Sequence, residues 1–505
     1  MTGPPAVTGE YPTLDRLIAA AVEQIGEREA YVEVATGQRL TFAEWVEASS
    51  RLAQHLRRQG IQPGDVVAIA VPPSIDFAIG VVGAVLAGAV ATGINHRLGP
   101  REIAGIFERC SPAAVLLAES FAVPVGHHPV VVRREQLTSL PPRFRPGVVP
   151  DPAPDPGDPV VVIWTSGTTG LPKGAWFDHR NLAAAVQTAG EMTRAFDRRI
   201  SGIPMAHAGY LAKVWEQFAM GVTVVLTPTP WSAATMLDVL VRERITVGAG
   251  VPTQWAKLLE LPGIATADLS ALRVCLAATA PAAPELVERM TAVIGAPVVV
   301  RYAMTESPSI SGTTPGDRPD VQHRTVGRPG PGIQLSLVDG EGAEVAAGDV
   351  GRVRISGPCV MRGYWGDPER TAEVLDTDGW LTSGDLGRLD PEGNLVLVGR
   401  AGDMYIRGGY NVYPLEVENV LAEHPQVATA AVIGVPAPVI GEIGVAFVVP
   451  EAGSTPTRDD LRQWVRDRLA DYKAPDEVCL VDALPLTTMG KVDKTALQSE
   501  RAGRR

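Results

Sequence analysis

The sequence predicts an α/β protein in two parts: a large N-terminal unit of two α/β subdomains plus a β-rich subdomain, followed by a smaller α+β C-terminal domain. Three observations carry this reading. Strand-like apolar runs alternate with helical patterns to about residue 300, Gly/Pro turns and short β patterns dominate from Thr325 to Arg400, and the helix–strand rhythm restarts beyond Arg400. At 505 residues the chain exceeds what one ordinary core holds, so two or more domains are expected.

Taken in order, Tyr11 to Gly60 reads as largely helical with amphipathic spacing, and Asp65 to Val71 as a buried strand opened by a Pro-Gly-Asp turn. Phe77 to Gly93 is an uncharged run near the lower length of a membrane helix, but its Ala, Gly and Val content predicts a packed core helix, with the glycines marking close approach to a sheet. Leu140 to Pro159 is proline-rich and reads as an extended surface connection. In the last hundred residues we expect a helix near Pro414 to Glu423, strands at Val427 to Gly434 and Gly444 to Val449, a helix at Thr457 to Asp471 and a strand at Glu477 to Asp482.

Apolar residues make up 45% of the chain and charged residues 20%, which describes a globular protein, and the net charge of -12 argues against nucleic acid or an anionic membrane surface as a partner. Cys110, Cys275, Cys359 and Cys479 lack paired spacing and the eight histidines form no metal-ligand pattern, so neither a disulfide framework nor a zinc site is indicated. A reducing, cytoplasmic setting fits, as does an N-terminus without the basic-then-apolar order of a signal peptide.

The chain is organised around Val160 to Gly174, where a buried-strand pattern runs into a loop of small hydroxylated residues. Gly167 and Gly170 let backbone N–H groups approach an anion, Thr165, Ser166, Thr168 and Thr169 add hydroxyl donors, and Lys173 adds positive charge. This is a phosphate-binding device, yet it differs from the P-loop, which has four residues between its glycines and Ser or Thr after its lysine. A Thr-Ser-Gly triplet alone would be an ordinary turn. The ten-residue run from Thr165 to Gly174, however, resembles the signature of the adenylate-forming superfamily: acyl-CoA synthetases, aryl-CoA ligases, luciferases and peptide-synthetase adenylation domains.

Three further segments resemble that superfamily in the same order. In Arg301-Tyr302-Ala303-Met304-Thr305-Glu306-Ser307, at a strand end, the resemblance implies that Tyr302 stacks on adenine, Thr305 meets a phosphate oxygen and Glu306 binds Mg2+ held by the triphosphate. In Trp380 to Asp390 and Val398 to Asp403 it implies that Asp385 accepts both ribose hydroxyls and that Arg400 holds ribose or phosphate; Gly-Asp pairs otherwise make hairpin turns. Near the C-terminus, Lys491 in Pro485 to Lys494 resembles the lysine that reaches across to the carboxylate and α-phosphate, and it is one of only six lysines in the chain.

The resemblance also implies an N-terminal AMP-binding domain at 1–402 and a mobile domain at 403–505 that hinges at Asp403 and carries Lys491. Gly408 and Gly409, in Arg407 to Pro414, would admit pantetheine; Tyr405 and Arg407 depart from the family pattern there. Pro204 to Glu216 resembles the segment lining the acid pocket, with His207 at its mouth and Leu211 and Trp215 along it, and Leu211 stands where amino-acid-activating relatives carry an Asp. Ala278-Thr279-Ala280-Pro281 replaces Gly-Gly-Ala-Pro, and Ala303 replaces glycine. Both changes would narrow the passage and favour a short-chain, branched or aromatic acid over a long-chain fatty acid.

The implied activity is ATP-dependent ligation of a carboxylic acid to coenzyme A with Mg2+, through an acyl-adenylate. One alternative is an acyl- or aryl-AMP ligase that loads a carrier protein or a non-thiol acceptor. Another is a degenerate nucleotide-binding protein, which would have no need to keep Glu306, Asp385 and Lys491 together. The sequence names neither the acid nor the oligomeric state.

Overall fold

A computed structural model of the chain describes residues 4–140, 152–165, 172–202, 204–277, 282–487 and 491–503. Among these, the strands form four sheets, and the two larger ones make the α/β subdomains expected from the strand–helix alternation.

The seven-stranded sheet has a parallel centre, Val130–Arg133, Ala114–Leu117, Val66–Ala70, Val90–Gly93 and Pro159–Thr165, extended antiparallel by Lys173–Asp178 and the short Gly363–Tyr364. Its inner strands are apolar on both faces because helices cover both sides. Helix Ile75–Leu86 is buried along its length, and a Cβ at Gly80 would meet Ile69 and Leu116 of the sheet. The core-helix reading of Phe77 to Gly93 therefore holds only as far as Leu86. Gly88 turns the chain with φ +80°, and Val90–Gly93 is a strand.

The nine-stranded sheet runs from Arg328–Pro329 through Ser307–Gly312, Val298–Met304, Val274–Ala277, Val247–Gly250, Arg198–Ser201, Thr223–Leu226 and Glu29–Glu33 to Gln38–Thr41. The last two correct the helical reading of Tyr11 to Gly60. Helices Leu14–Ile25 and Phe42–Arg58 flank a β-hairpin whose first strand pairs in parallel with Thr223–Leu226. Ala30, Tyr31 and Val32 are all buried there, a three-residue apolar run too short to break the helical periodicity on either side of it.

Gln334–Val338, Gly351–Ser356, Leu381–Leu389 and Leu395–Arg400 form an antiparallel four-stranded sheet, the expected β-rich subdomain. Beyond it, strands Tyr405–Arg407, Tyr410–Val412, Val427–Ala437, Gly441–Pro450 and Glu477–Leu480 make a separate five-stranded sheet. Helices Pro414–Ala422 and Arg458–Arg466 cover it, and Val417, Leu421, Val432, Leu461 and Val465 lie in a core of its own. Among the described residues no helix is long and apolar enough to cross a membrane.

Candidate functional site

Thr165 pairs with Lys173 across antiparallel strands, so the phosphate motif closes a hairpin and Lys173 begins the returning strand. Ser166, Gly167, Thr168, Thr169 and Gly170 lie outside the described residues. Thr305 and Glu306 form the turn of a second hairpin, between Met304 and Ser307, because the strand begun at Val298 continues past Tyr302. A third segment joins the two hairpins. The Met361 N–H donates to the Glu306 carbonyl at 2.8 Å, and Trp365 N–H donates to the Gly174 carbonyl at 2.7 Å. Between them the Tyr364 hydroxyl donates to Glu306 Oε1 at 2.7 Å, and Lys173 Nζ lies 5.2 Å from the centre of the Tyr364 ring. Tyr364 escaped the sequence reading.

Glu306 fits the magnesium ion that the resemblance implies. It is half-buried, Tyr364 orients one of its oxygens, and among the described residues the other accepts no hydrogen bond. The described residues hold no group of three His, Cys, Asp or Glu side chains that could cage a metal, and Mg2+ commonly takes one or two carboxylates plus substrate phosphates.

Asp385 and Arg400 face each other across neighbouring strands, so Gly384-Asp385 lies within a strand and not in the turn that a Gly-Asp pair otherwise makes. Tyr302 Oη donates to Asp385 Oδ2 at 2.7 Å and Arg400 Nε to Oδ1 at 3.0 Å, so one carboxylate joins three predicted residues. Burial first, and the adjacent Asp385 charge second, push the Tyr302 hydroxyl well above its ordinary range and keep it a donor.

Thr487 N–H donates to the Lys491 carbonyl at 2.7 Å, and the Lys491 N–H donates to Thr487 Oγ1 at 3.3 Å. Solvent still reaches the residue, yet the protein atoms around its ammonium, and then Arg400, lower its pKa while Asp385 acts in the opposite sense. Lys491 thus lies within electrostatic reach of the Asp385–Arg400 pair. His207 is the N-cap of the short helix Ala208–Leu211, and its Nδ1 accepts from the Gly209 N–H at 3.1 Å. Burial and, second, the Lys491 charge hold His207 down at about 4, so its ring is neutral with the proton on Nε2.

On the acid side, Leu211 and Trp215 are 1% and 4% exposed and packed in the main core, with Trp215 edge-on to His179. Ala303 is exposed, so its methyl faces open space rather than filling core. Ala278 and Ala280 lie outside the described residues. Beside Trp215, the buried Glu216 accepts from Thr193 Oγ1 at 2.6 Å and pairs with Arg199 at 2.5 Å and Lys213 at 2.7 Å. Burial opposes its ionisation, but those two cations hold its carboxyl well below the usual range.

Asp403 follows Arg400 in a turn, its N–H donating to the Arg400 carbonyl at 3.1 Å, and its carboxylate lies 3.6 Å from Lys494 Nζ. Gly408 and Gly409 are exposed, with φ of +58° and +87°, in the turn between Tyr405–Arg407 and Tyr410–Val412. The two departures from the family pattern have structural reasons. Tyr405 is buried in the C-terminal core, where Gly434 and Gly444 make room for it, and Arg407 forms a bidentate pair with Asp476 at 2.7–3.2 Å.

The comparisons agree with this architecture. The family model for AMP-binding enzymes matches residues 18–365 and that for the AMP-binding enzyme C-terminal domain matches 416–491. A feruloyl-CoA synthase of Amycolatopsis is 37% identical over 91% of this chain and 93% of its own length. A fatty acid–acyl-carrier-protein ligase of Streptomyces coeruleorubidus is 33% identical over 92% of both chains. The crystal structure of ATP-bound MatB from Rhodopseudomonas palustris superposes with a TM-score of 0.87 at 28% identity, covering 97% of this chain and 99% of that one. With the two family models matched in order along the chain, and relatives above 30% identical over nine-tenths of its length, the chain belongs to the AMP-binding enzyme family.

Proposed function

We propose that the chain is an ATP-dependent carboxylic acid:CoA ligase working in two half-reactions. The observation that carries this reading is the match of both family models in order, with Tyr302, Asp385 and Arg400 joined at one carboxylate and Lys491 within electrostatic reach of it. In the first half-reaction a carboxylate oxygen attacks the α-phosphorus of ATP and the bond to the β-phosphate oxygen breaks. Pyrophosphate leaves and an acyl-adenylate remains. Asp385 accepts from the ribose hydroxyls, Thr165 and Thr305 donate to phosphate oxygens, and Lys491 stabilises the charge that builds on the transferring phosphoryl group. Lys173 and Arg400 add positive charge to the polyphosphate site. Glu306 would hold Mg2+, which neutralises triphosphate charge when bound. His207, neutral with Nε2–H, is suited to donate to the acid's carboxyl group.

In the second half-reaction the domain 403–505 rotates about Asp403 and the Gly408–Gly409 turn comes over the site. The thiolate of coenzyme A attacks the acyl carbon, the acyl–phosphate oxygen bond breaks and AMP leaves; the thiol proton goes to solvent. The exposure of both glycines and the burial of Tyr405 favour this reading, because Tyr405 and Arg407 are engaged within the C-terminal domain. The carrier-protein relative keeps a protein-bound thiol as the second candidate acceptor. Exposure of Ala303 supports a compact acid, as does the aromatic acid in the feruloyl relative's name. A cytoplasmic setting is consistent with three buried cysteines left free.

The test is a panel of carboxylic acids incubated with ATP, Mg2+ and either coenzyme A or a phosphopantetheinylated carrier protein, scored by mass spectrometry for acyl-AMP and thioester. Acyl-CoA from a compact acid is the expected result. Adenylate without any CoA thioester would replace coenzyme A by the carrier protein or another acceptor.

A further inference from the structure

We propose that Tyr364 is a positioning residue that sets Glu306 and Lys173, the two ends of the ATP polyphosphate site, at once. Those residues belong to different sheets. Glu306 turns a hairpin of the nine-stranded sheet, whereas Lys173 begins a strand of the seven-stranded sheet. Backbone hydrogen bonds from Met361 to Glu306 and from Trp365 to Gly174 tie the main chains, and a gap between the two side chains remains. Tyr364 spans that gap with one side chain, 6% exposed.

Its backbone is built into the second sheet, pairing with Ala175 two residues from Lys173, and its N–H donates to Thr371 Oγ1 at 2.9 Å. Three residues earlier, Met361 is tied to the Glu306 backbone at 2.8 Å. The segment is therefore anchored on both sides before the side chain acts. The hydroxyl then donates to Glu306 Oε1 at 2.7 Å, which fixes the carboxylate rotamer, while the ring face lies 5.2 Å from Lys173 Nζ, within cation–π range. Tyr364 has no partner role in the chemistry itself and touches no reacting atom in this account.

The two functions of the side chain separate by substitution. Tyr364→Phe removes the donor and keeps the ring, whereas Tyr364→Leu removes both. The proposal rests on the reading of Glu306 and Lys173 as polyphosphate contacts, so Glu306→Gln is included as its control. ATP binding to the full-length protein is titrated calorimetrically in Mg2+ and in EDTA, with no acid present, and divalent-ion dependence of pyrophosphate release is followed beside it.

For Tyr364→Phe we expect the gain in ATP affinity conferred by Mg2+ to shrink roughly ten- to a hundredfold, the scale of a hydrogen bond to a charged group, with affinity in EDTA unchanged. Tyr364→Leu should also weaken binding in EDTA, by about two- to fivefold, through Lys173. If Leu prevents folding, the isosteric Phe variant decides alone. Equal loss in Mg2+ and EDTA, or a lowered melting temperature with both affinities intact, would make Tyr364 a packing residue and overturn the proposal. A Mg2+ gain that survives Glu306→Gln would instead overturn the reading of Glu306. A gain lost in Glu306→Gln but intact in Tyr364→Phe removes Tyr364 only.

Discussion

Replacing Lys491 by alanine isolates the step on which the two-state account depends. Both hydrogen bonds between Thr487 and Lys491 use the backbone of Lys491, so the substitution leaves those bonds in place and removes the charge. That charge lies within electrostatic reach of Arg400 and of the single carboxylate of Asp385, where it can pull on a developing phosphoryl charge. Loss of one such positioned stabiliser costs about 2.7–4 kcal/mol, or roughly a hundred- to a thousandfold in rate. Single-turnover quench of acid, ATP and enzyme measures acyl-AMP formation, and supplied acyl-AMP with coenzyme A measures thioester formation. The first should fall by that factor and the second should hold near the wild-type rate. Equal loss in both half-reactions would refute the idea that Lys491 serves one domain orientation, and no loss in either would remove it from the phosphoryl step.

Four further outcomes are expected. Proline at Asp403 fixes φ and deletes the N–H that donates to the Arg400 carbonyl, so Asp403→Pro should retain one half-reaction and lose the other; wild-type rates in both, with intact circular dichroism, would remove the hinge assignment. Because His207 titrates at about 4 when folded and at 6.5 when free, the unfolded chain binds the extra proton between those values; stability should fall as pH drops through that window, and His207→Gln should flatten the slope of melting temperature against pH there. The basic limb of the adenylation profile should lie below the 10.5 of free lysine and move upward in Arg400→Gln, whereas an unmoved limb would detach it from Lys491. On the acid side, kcat/KM for benzoate- and cinnamate-like acids should exceed that for a C16 acid, and Ala303→Gly should admit longer chains, by roughly ten- to two-hundredfold per group accommodated; a preference rising to C16 and indifferent to Ala303→Gly would sink the compact-acid reading.

The sequence singled out candidate site residues more readily than it did the short elements around them. Tyr302, Asp385 and Arg400 were readable one motif at a time because the expected ligand, not their neighbours, constrains each residue type, and the structure then links them through a single carboxylate. The hairpin Glu29–Thr41 was not readable, since what makes Ala30–Val32 a strand is its parallel partner at Thr223–Leu226, almost two hundred residues away. The same applies within Phe77 to Gly93, where apolar content served a buried helix and a buried strand equally well.

Tyr405 and Tyr364 mark the boundary between those two kinds of information. Tyr405 was visible as a departure, but its compensation is the absence of side chains at Gly434 and Gly444, and a missing atom leaves no local pattern to read. Tyr364 was invisible for the opposite reason: Arg-Gly-Tyr-Trp looks like any edge strand, and the hydroxyl acquires a role only when the Glu306 hairpin from the other sheet arrives 2.7 Å away. A residue that answers to a ligand can be found from its motif, whereas one that answers to two sheets at once requires both to be folded. That distinction explains why the residues expected to touch ATP stood out in the sequence, whereas the contacts between Tyr364, Glu306 and Lys173 emerge only in three dimensions.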